Sequence, residues 1–203
     1  MKVERFDVGP MGTNLYVCYD DNKKGFIVDC PYESNKVTNF IEENDIDIKF
    51  ILLTHTHIDH ILGLKFYVDK YKVDVYASED AKDICNDPTY NLTDYFGYDI
   101  DQVKIDRYLK DNEKFSKFDI LAIKTPGHTI DSISYKIDDF IFVGDTIFRM
   151  SIGRSDLKGG SYEDIIASIK DKLIIYDDST ILLPGHGVET NIEFEKQNNP
   201  FIN

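Results

Sequence analysis

A chain of 203 residues, 42% of them hydrophobic, is long enough to bury a sizeable core and is most simply one domain over residues 1–203. Its formal net charge of −14 is spread along the chain, which argues against a phosphate-backbone ligand and so against bulk nucleic-acid binding. No run approaches the roughly 18 apolar residues of a membrane span. Residues 1–10, with Lys2, Glu4, Arg5 and Asp7, lack the apolar core of a signal peptide, so the expected location is the cytoplasm with no membrane partner. Cys18, Cys30 and Cys85 form no close pair; they read as buried or incidental thiols, not as a disulfide framework or a metal knuckle.

In chain order, residues 3–8 and 14–19 have strand content and flank a turn signal, Gly9-Pro10-Met11-Gly12. Phe26-Ile27-Val28 makes a third short strand ending at Asp29. Residues 33–44 place Val37, Phe40 and Ile41 at helical spacing, and 49–53 form a buried strand. A helix after His60 presents Leu64, Tyr67, Val68 and Tyr71 on one face, followed by a strand at 73–77 and a helix at 79–86 that Ser78 caps. The stretch 89–101, within a loop opened by Asp87-Pro88, has no period. Its Tyr90, Tyr95, Phe96 and Tyr98 read as aromatic packing under a surface loop, with a lid as the other reading. Strands then follow at 119–124, 132–137 and 140–143, a helix at 162–173 and a strand at 180–183.

The chemistry concentrates in Thr54-His55-Thr56-His57-Ile58-Asp59-His60, where a buried strand surfaces. Imidazole nitrogen and carboxylate oxygen are the ligands a borderline cation such as zinc accepts in a hydrolytic site. His55 and His57 have the period-two spacing that points them to one side of an extended strand, while Asp59 and His60 fall on the turn into a helix, so the geometry permits two ions. A lone histidine near a strand end is ordinarily a loop residue. Here three of the chain's five histidines lie in one heptapeptide, and the other two, His128 and His186, each follow Pro-Gly after an apolar run. Asp145 likewise leaves a strand beside a glycine. Such glycines let the backbone turn sharply at the rim.

The set His55-x-His57-x-Asp59-His60, then His128, Asp145 and His186, resembles the metallo-β-lactamase superfamily through nearly the whole chain. Gly144-Asp145-Thr146-Ile147-Phe148, Ser151-Ile152-Gly153-Arg154-Ser155-Asp156-Leu157 and Leu183-Pro184-Gly185-His186-Gly187 narrow the likeness to glyoxalase II-like (hydroxyacylglutathione hydrolase-like) enzymes. The end, Glu195-Lys196-Gln197-Asn198-Asn199-Pro200-Phe201, is similar to the short bacterial forms without a helical carboxy-terminal domain. The resemblance implies a four-layer αβ/βα sandwich of two related halves, with the metals at one edge between the sheets. It implies that His55, His57 and His128 hold one ion, that Asp59, His60 and His186 hold the second, and that Asp145 bridges both. The cofactors implied are two divalent ions, zinc foremost, with iron or manganese as other occupants. The implied reaction is hydrolysis of a small-molecule hydroxyacyl thioester by a metal-bridging hydroxide, with Asp59 either orienting that hydroxide or acting as a plain ligand. Arg154 stands where related enzymes place a basic glutathione contact; a salt bridge to Asp156 is its other reading.

Two positions depart from the family pattern: Cys30-Pro31 after Asp29, where proline and glycine are usual, and Asp131, where glycine is common. Other readings stay open. A mononuclear-iron persulfide dioxygenase would use His55, His128 and Asp145 among its ligands; a lactone hydrolase makes similar demands on a dinuclear site; a metal-binding sensor would seal the site from substrate. A β-lactamase proper is disfavoured because Asp145 stands where many of those enzymes carry cysteine and because no export signal is visible. The identity of the thiol and the oligomeric state have no signal in the sequence.

Overall fold

In the computed structural model, which describes residues 1–202, the first turn closes a hairpin of β1 (Lys2–Val8) and β2 (Thr13–Tyr19), with Phe6 opposite Leu15. β2 also pairs antiparallel with β3 (Lys24–Val28), after which the chain crosses over through α1 (Asn35–Glu43) to β4 (Asp47–Leu52), parallel to β3. Two short helices, α2 (Ile58–Ile61) and α3 (Leu64–Tyr71), lead to β5 (Asp74–Ser78), and β6 (Arg107–Leu109) completes a six-stranded sheet in the order β1-β2-β3-β4-β5-β6. The crossovers are why one face of this sheet is covered by helices.

The second half builds another six-stranded sheet from β7 (Lys114–Phe115), β8 (Ile120–Lys124), β9 (Ile133–Ile137), β10 (Phe140–Gly144), β13 (Ile181–Pro184) and β14 (Thr190–Asn191). Its order is β14-β13-β10-β9-β8-β7, antiparallel except for β10 against β13. Between those two strands the chain forms a small hairpin, β11 (Ile147–Phe148) with β12 (Ser151–Ile152), and α5 (Tyr162–Ser168). A last helix, α6 (Ile192–Asn198), follows β14.

Strand periodicity explains the layering. On β2, Leu15 and Val17 join Ile27, Val37, Ile41, Ile51 and Tyr67 under the first helices, whereas Tyr16 and Cys18 face Phe26, Phe50, Tyr135 and Phe142 between the sheets. Ile141, Val143 and Leu182 turn outward against Ile165, Ile169 and Ile192. The order is therefore helix, sheet, sheet, helix. At about 1.5–3 kcal/mol for each buried large apolar side chain, these three clusters are the main stabilising term. In the middle cluster Phe50 stacks on Phe26 and on Tyr76, with ring centroids 5.2 Å apart in each case.

Several expected elements differ locally. The helix expected over 33–44 begins at Asn35, because the Ser34 hydroxyl accepts from the Val37 amide and caps it. The helix expected over 79–86 is only a 3-10 turn, Glu79–Asp83, because the Asn86 side chain pairs with both backbone groups of Val103 and diverts the chain. The one expected over 162–173 is α5 continued by a wider π turn, Ile169–Leu173. The loop after Asp87 is fastened by polar groups as well as by half-buried Tyr98, which packs on the first core cluster: the Asn91 carbonyl accepts from the Ile58 amide, its side-chain amide donates to the Cys85 carbonyl, and Thr93 donates to its side-chain oxygen. Tyr95 and Phe96, on the short α4 (Thr93–Phe96), are exposed. The three cysteines are buried thiols.

Candidate metal centre

The candidate residues all emerge beyond strand ends at one edge of the sandwich. β4 delivers His55 and His57, β8 delivers His128, β10 delivers Asp145 and β13 delivers His186. His57 stands in extended backbone immediately before α2, whose single turn carries Asp59 and His60. Side chains from both halves can meet only where backbones approach closely. A Cβ at Gly185 would overlap Asp145 Oδ1 and fall 2.6 Å from the His60 ring, and one at Gly144, where φ is +49°, would fall 2.6 Å from Thr54 Oγ1. Glycine beside Asp145 and His186 is thus a requirement of space.

The structure brings together all seven residues expected from the sequence. Within each of three sets, His55/His57/His128, His55/His60/Asp145 and Asp59/His60/His186, the ligand-type atoms lie within 4.8 Å of one another. Asp145 sits between the flanking sets: its Oδ1 is 3.5 Å from His60 Nε2, and its Oδ2 is 3.7 Å from His128 Nε2 and 3.5 Å from His186 Nε2. His186 Nε2 also lies 3.1 Å from Asp59 Oδ2. Five buried side-chain polar atoms lack a hydrogen-bond partner among the described residues, and four belong to His55, His57, His60 and Asp145. Each such atom costs about 1–3 kcal/mol if left unmade. Clustered lone pairs of this kind have a cation as their natural partner, so the residues fit a metal centre.

An outer layer fixes which ring nitrogen faces inward. His60 Nδ1 donates to Asp29 Oδ2 at 2.8 Å, His128 Nδ1 to the Arg154 carbonyl at 2.7 Å and His186 Nδ1 to the Gly12 carbonyl at 3.2 Å. Thr54 gives its hydroxyl proton to Asp29, so that oxygen accepts from His55 Nδ1 at 3.2 Å. Each contact leaves Nε2 for the cluster. His57 instead turns Nδ1 toward His128 Nε2, 3.0 Å away.

Burial pushes His55 well below the ordinary imidazole value, helped by repulsion from His60 and the other rings. Burial and His128 take His57 down to about 3. Both are neutral and ligand-ready at pH 7. Burial acts against a charge on His60, but Asp29, Asp59 and Asp145 outweigh it and hold that imidazole well above its ordinary value. His186 is also raised: burial opposes it, and the bond to Asp59 with the field of Asp145 prevails. For Asp59 and Asp145 burial is likewise overcome, chiefly by His60, and both stay ionised far below neutrality. The carboxylates around His60 and His186 thus favour the protonated form of both rings in the metal-free protein.

A cavity of about 400 Å³ opens over this edge, lined by His128, Asp145, Phe148, Arg154, His186 and Gly187. His186 is 30% exposed, against 0–4% for His60 and His128, so access lies on its side. A larger groove of about 920 Å³ runs between α3 and residues 99–106 and contains none of the seven. Arg154 reaches the rim, but its guanidinium forms a bidentate pair with Asp156 at 2.8 and 2.9 Å. Both sequence readings of Arg154 therefore meet at one place.

Sequence reasoning missed the residues behind the ligands. Asp29 accepts from the Thr54 amide and hydroxyl as well as from His60, and its φ of +58° shows the chain turning there to present the carboxylate. The signal available was an acid ending a buried strand, as Asp145 does. Asn14 and the Tyr16 hydroxyl both donate to the Pro184 carbonyl, and Arg5 to that of Gly187, fastening the His186 loop to the first sheet. At the two departures, Cys30 pairs through its backbone with His60 and Gly63, and Asp131 is buried and accepts from Thr56.

Comparison with known proteins agrees with this geometry. The chain is 33% identical over 208 residues to the probable metallo-hydrolase YqgX of Bacillus subtilis (strain 168), covering 100% of this chain and 98% of that one. It is 32% identical over 209 residues to the hydroxyacylglutathione hydrolase GloC of Haemophilus influenzae (strain ATCC 51907 / DSM 11121 / KW20 / Rd), covering 100% and 99%. The crystal structure of BLEG-1 B3 metallo-β-lactamase superposes with a TM-score of 0.94 at 32% identity, covering 99% of each chain. The family model described as the metallo-beta-lactamase superfamily matches residues 8–186, and the chain belongs to that superfamily.

Proposed function

We propose that this metallohydrolase is dinuclear and cleaves a hydroxyacyl thioester, with His55, His57 and His128 holding one ion and Asp59, His60 and His186 the other. Asp145 lies between them as the shared ligand. The observation that carries the reading is the convergence of two sets of inward-facing ligand atoms on one carboxylate, with unpartnered buried atoms on both sides. Ions bound there supply Lewis acidity and lower the pKa of a water toward roughly 7. Zinc suits this all-nitrogen-and-oxygen set.

The chain's own residues do the rest. Asp59, ionised and with Thr13 Oγ1 3.4 Å from its carboxylate, orients the attacking water. Phe148, its ring centroid 6.3 Å from that of His186, gives the acyl chain an apolar wall. Arg154 binds a carboxylate of the thiol by exchanging Asp156 for it. Its replacement by alanine is expected to raise KM about tenfold, the equivalent of one charge-assisted hydrogen bond, with kcat nearly unchanged. An unchanged KM with lowered stability would leave Arg154 only its salt bridge.

BLEG-1 favours a second reading, β-lactam opening, because its identity to this chain equals that of GloC. The deciding experiment is metal content by mass spectrometry on protein purified without added metal, followed by turnover of glutathione and coenzyme A thioesters, lactones and a cephalosporin. About two ions per chain and thioester turnover above the rest support the proposal. Preferred cephalosporin turnover selects the second reading, and one iron with oxygen uptake on a glutathione persulfide selects a dioxygenase.

A further inference from the structure

The reading of His55, His57 and His128 as ligands raises the question of what holds the two segments that carry them at the right separation. His55 and His57 leave the end of β4, whereas His128 belongs to the loop between β8 and β9. Thr56 lies between the two histidines and its side chain points away from the cluster, into the protein. There its hydroxyl donates to Asp131 Oδ2 at 2.7 Å, both residues being buried at 2% exposure. Asp131 is three residues beyond His128.

A backbone hydrogen bond lies beside this contact. The Ile133 amide donates to the Thr54 carbonyl at 2.8 Å, and two residues further out on each segment Thr56 meets Asp131. Together they clamp the strand end on either side of His55, at the level where His57 Nδ1 and His128 Nε2 come within 3.0 Å. Asp131 has no ion-pair partner among the described residues. An unpaired carboxylate is a poor way to stabilise an interior, and two apolar groups of the same shape would serve stability as well. What an apolar pair would not supply is a fixed register between the segments.

We propose that the Thr56–Asp131 hydrogen bond positions the His55/His57/His128 site, so that breaking it loosens the metal at that site. Neither residue touches the ion or the substrate; both are positioning residues. The inference rests on the metal reading above and concerns retention of the ion, independently of the substrate.

The test compares wild type, T56V, T56S, D131A and the T56V/D131A double variant, each loaded with cobalt(II) and challenged with excess chelator. The readouts are the loss of visible cobalt absorption, its spectrum before challenge, and thermal unfolding of the metal-free proteins. Outer-layer partners of metal ligands typically govern affinity by about 10–100-fold, so T56V is expected to lose one of its two ions at least about tenfold faster than wild type, with an altered spectrum. T56S, which keeps the hydroxyl, is expected to stay within about twofold of wild type, a small fraction of that range. The double variant should lose metal no faster than D131A, because Thr56 acts through Asp131. T56V is isosteric, so the test stands even where D131A fails to fold. Wild-type retention in T56V, or equal loosening in T56S and T56V, overturns the proposal alone. A wild-type protein that binds no cobalt overturns it together with the metal reading.

Discussion

Asp145→Ala is expected to reduce the metal content from near two ions per chain to one or fewer and to lower turnover by more than about 100-fold. The bound follows from comparison: deleting an outer partner of a ligand costs about 10–100-fold, and Asp145 offers its own oxygens to both halves of the site. No neighbour replaces it. Asp59 is oriented toward His186 and Thr13, and Asp29 accepts from Thr54 and His60 on the outer side. The fold should survive, since the strand that delivers Asp145 is anchored by Ile141, Phe142 and Val143 in two hydrophobic clusters. Metal analysis and circular dichroism on the same sample check both halves of the statement. Full metal content with full activity in the variant would remove Asp145 from the site.

The candidate ligands were legible because they break the local grammar of the chain. Histidines at alternate positions beyond a buried strand, and Pro-Gly-His after two others, have no role in strand or helix formation, so their density points to chemistry. The apolar strands and helical periods made a succession of short strands and crossover helices legible, whereas the four-layer order came only through the family resemblance. Asp29 was not, because an acid at a strand end has no spacing partner in sequence; its significance appears only when Thr54 and His60, 25 and 31 residues away, fold onto it. Helix α6 escaped notice because its inward face lacks an apolar stripe. Buried Glu195 occupies that face, accepting from Met150, Thr190 and Asn199 and so tying the helix to the hairpin that carries Phe148. The helix expected at 79–86 failed for a similar reason: Asn86 satisfies a distant backbone segment, which no local pattern announces.

The metal-free protein is expected to have a stability optimum near pH 6.5, with opposite causes on the two sides. His55 and His57 are neutral in the folded state well below the ordinary value, His57 down to about 3 against 6.5 when unfolded. As pH falls below 6.5 the unfolded chain takes up protons that these folded residues refuse, so stability declines by up to about 1.4 kcal/mol per pH unit for each. The slope for His57 persists until pH approaches about 3. His60 and His186 are shifted upward, so their contribution is complete below pH 6.5 and fades as pH rises through their folded values. Asp59 and Asp145, both shifted downward, add a further loss once pH falls below their unfolded value of 3.8. Bound metal removes the alkaline decline, because its ligands must be deprotonated and the charge that His60 and His186 supplied is replaced by the ion. Thermal unfolding from pH 4 to pH 9, with chelator and with saturating zinc, separates the two limbs. A chelated protein whose midpoint keeps rising through pH 8, or metal-loaded and metal-free profiles that run parallel above neutrality, would show that His60 and His186 carry no such protons in the metal-free protein.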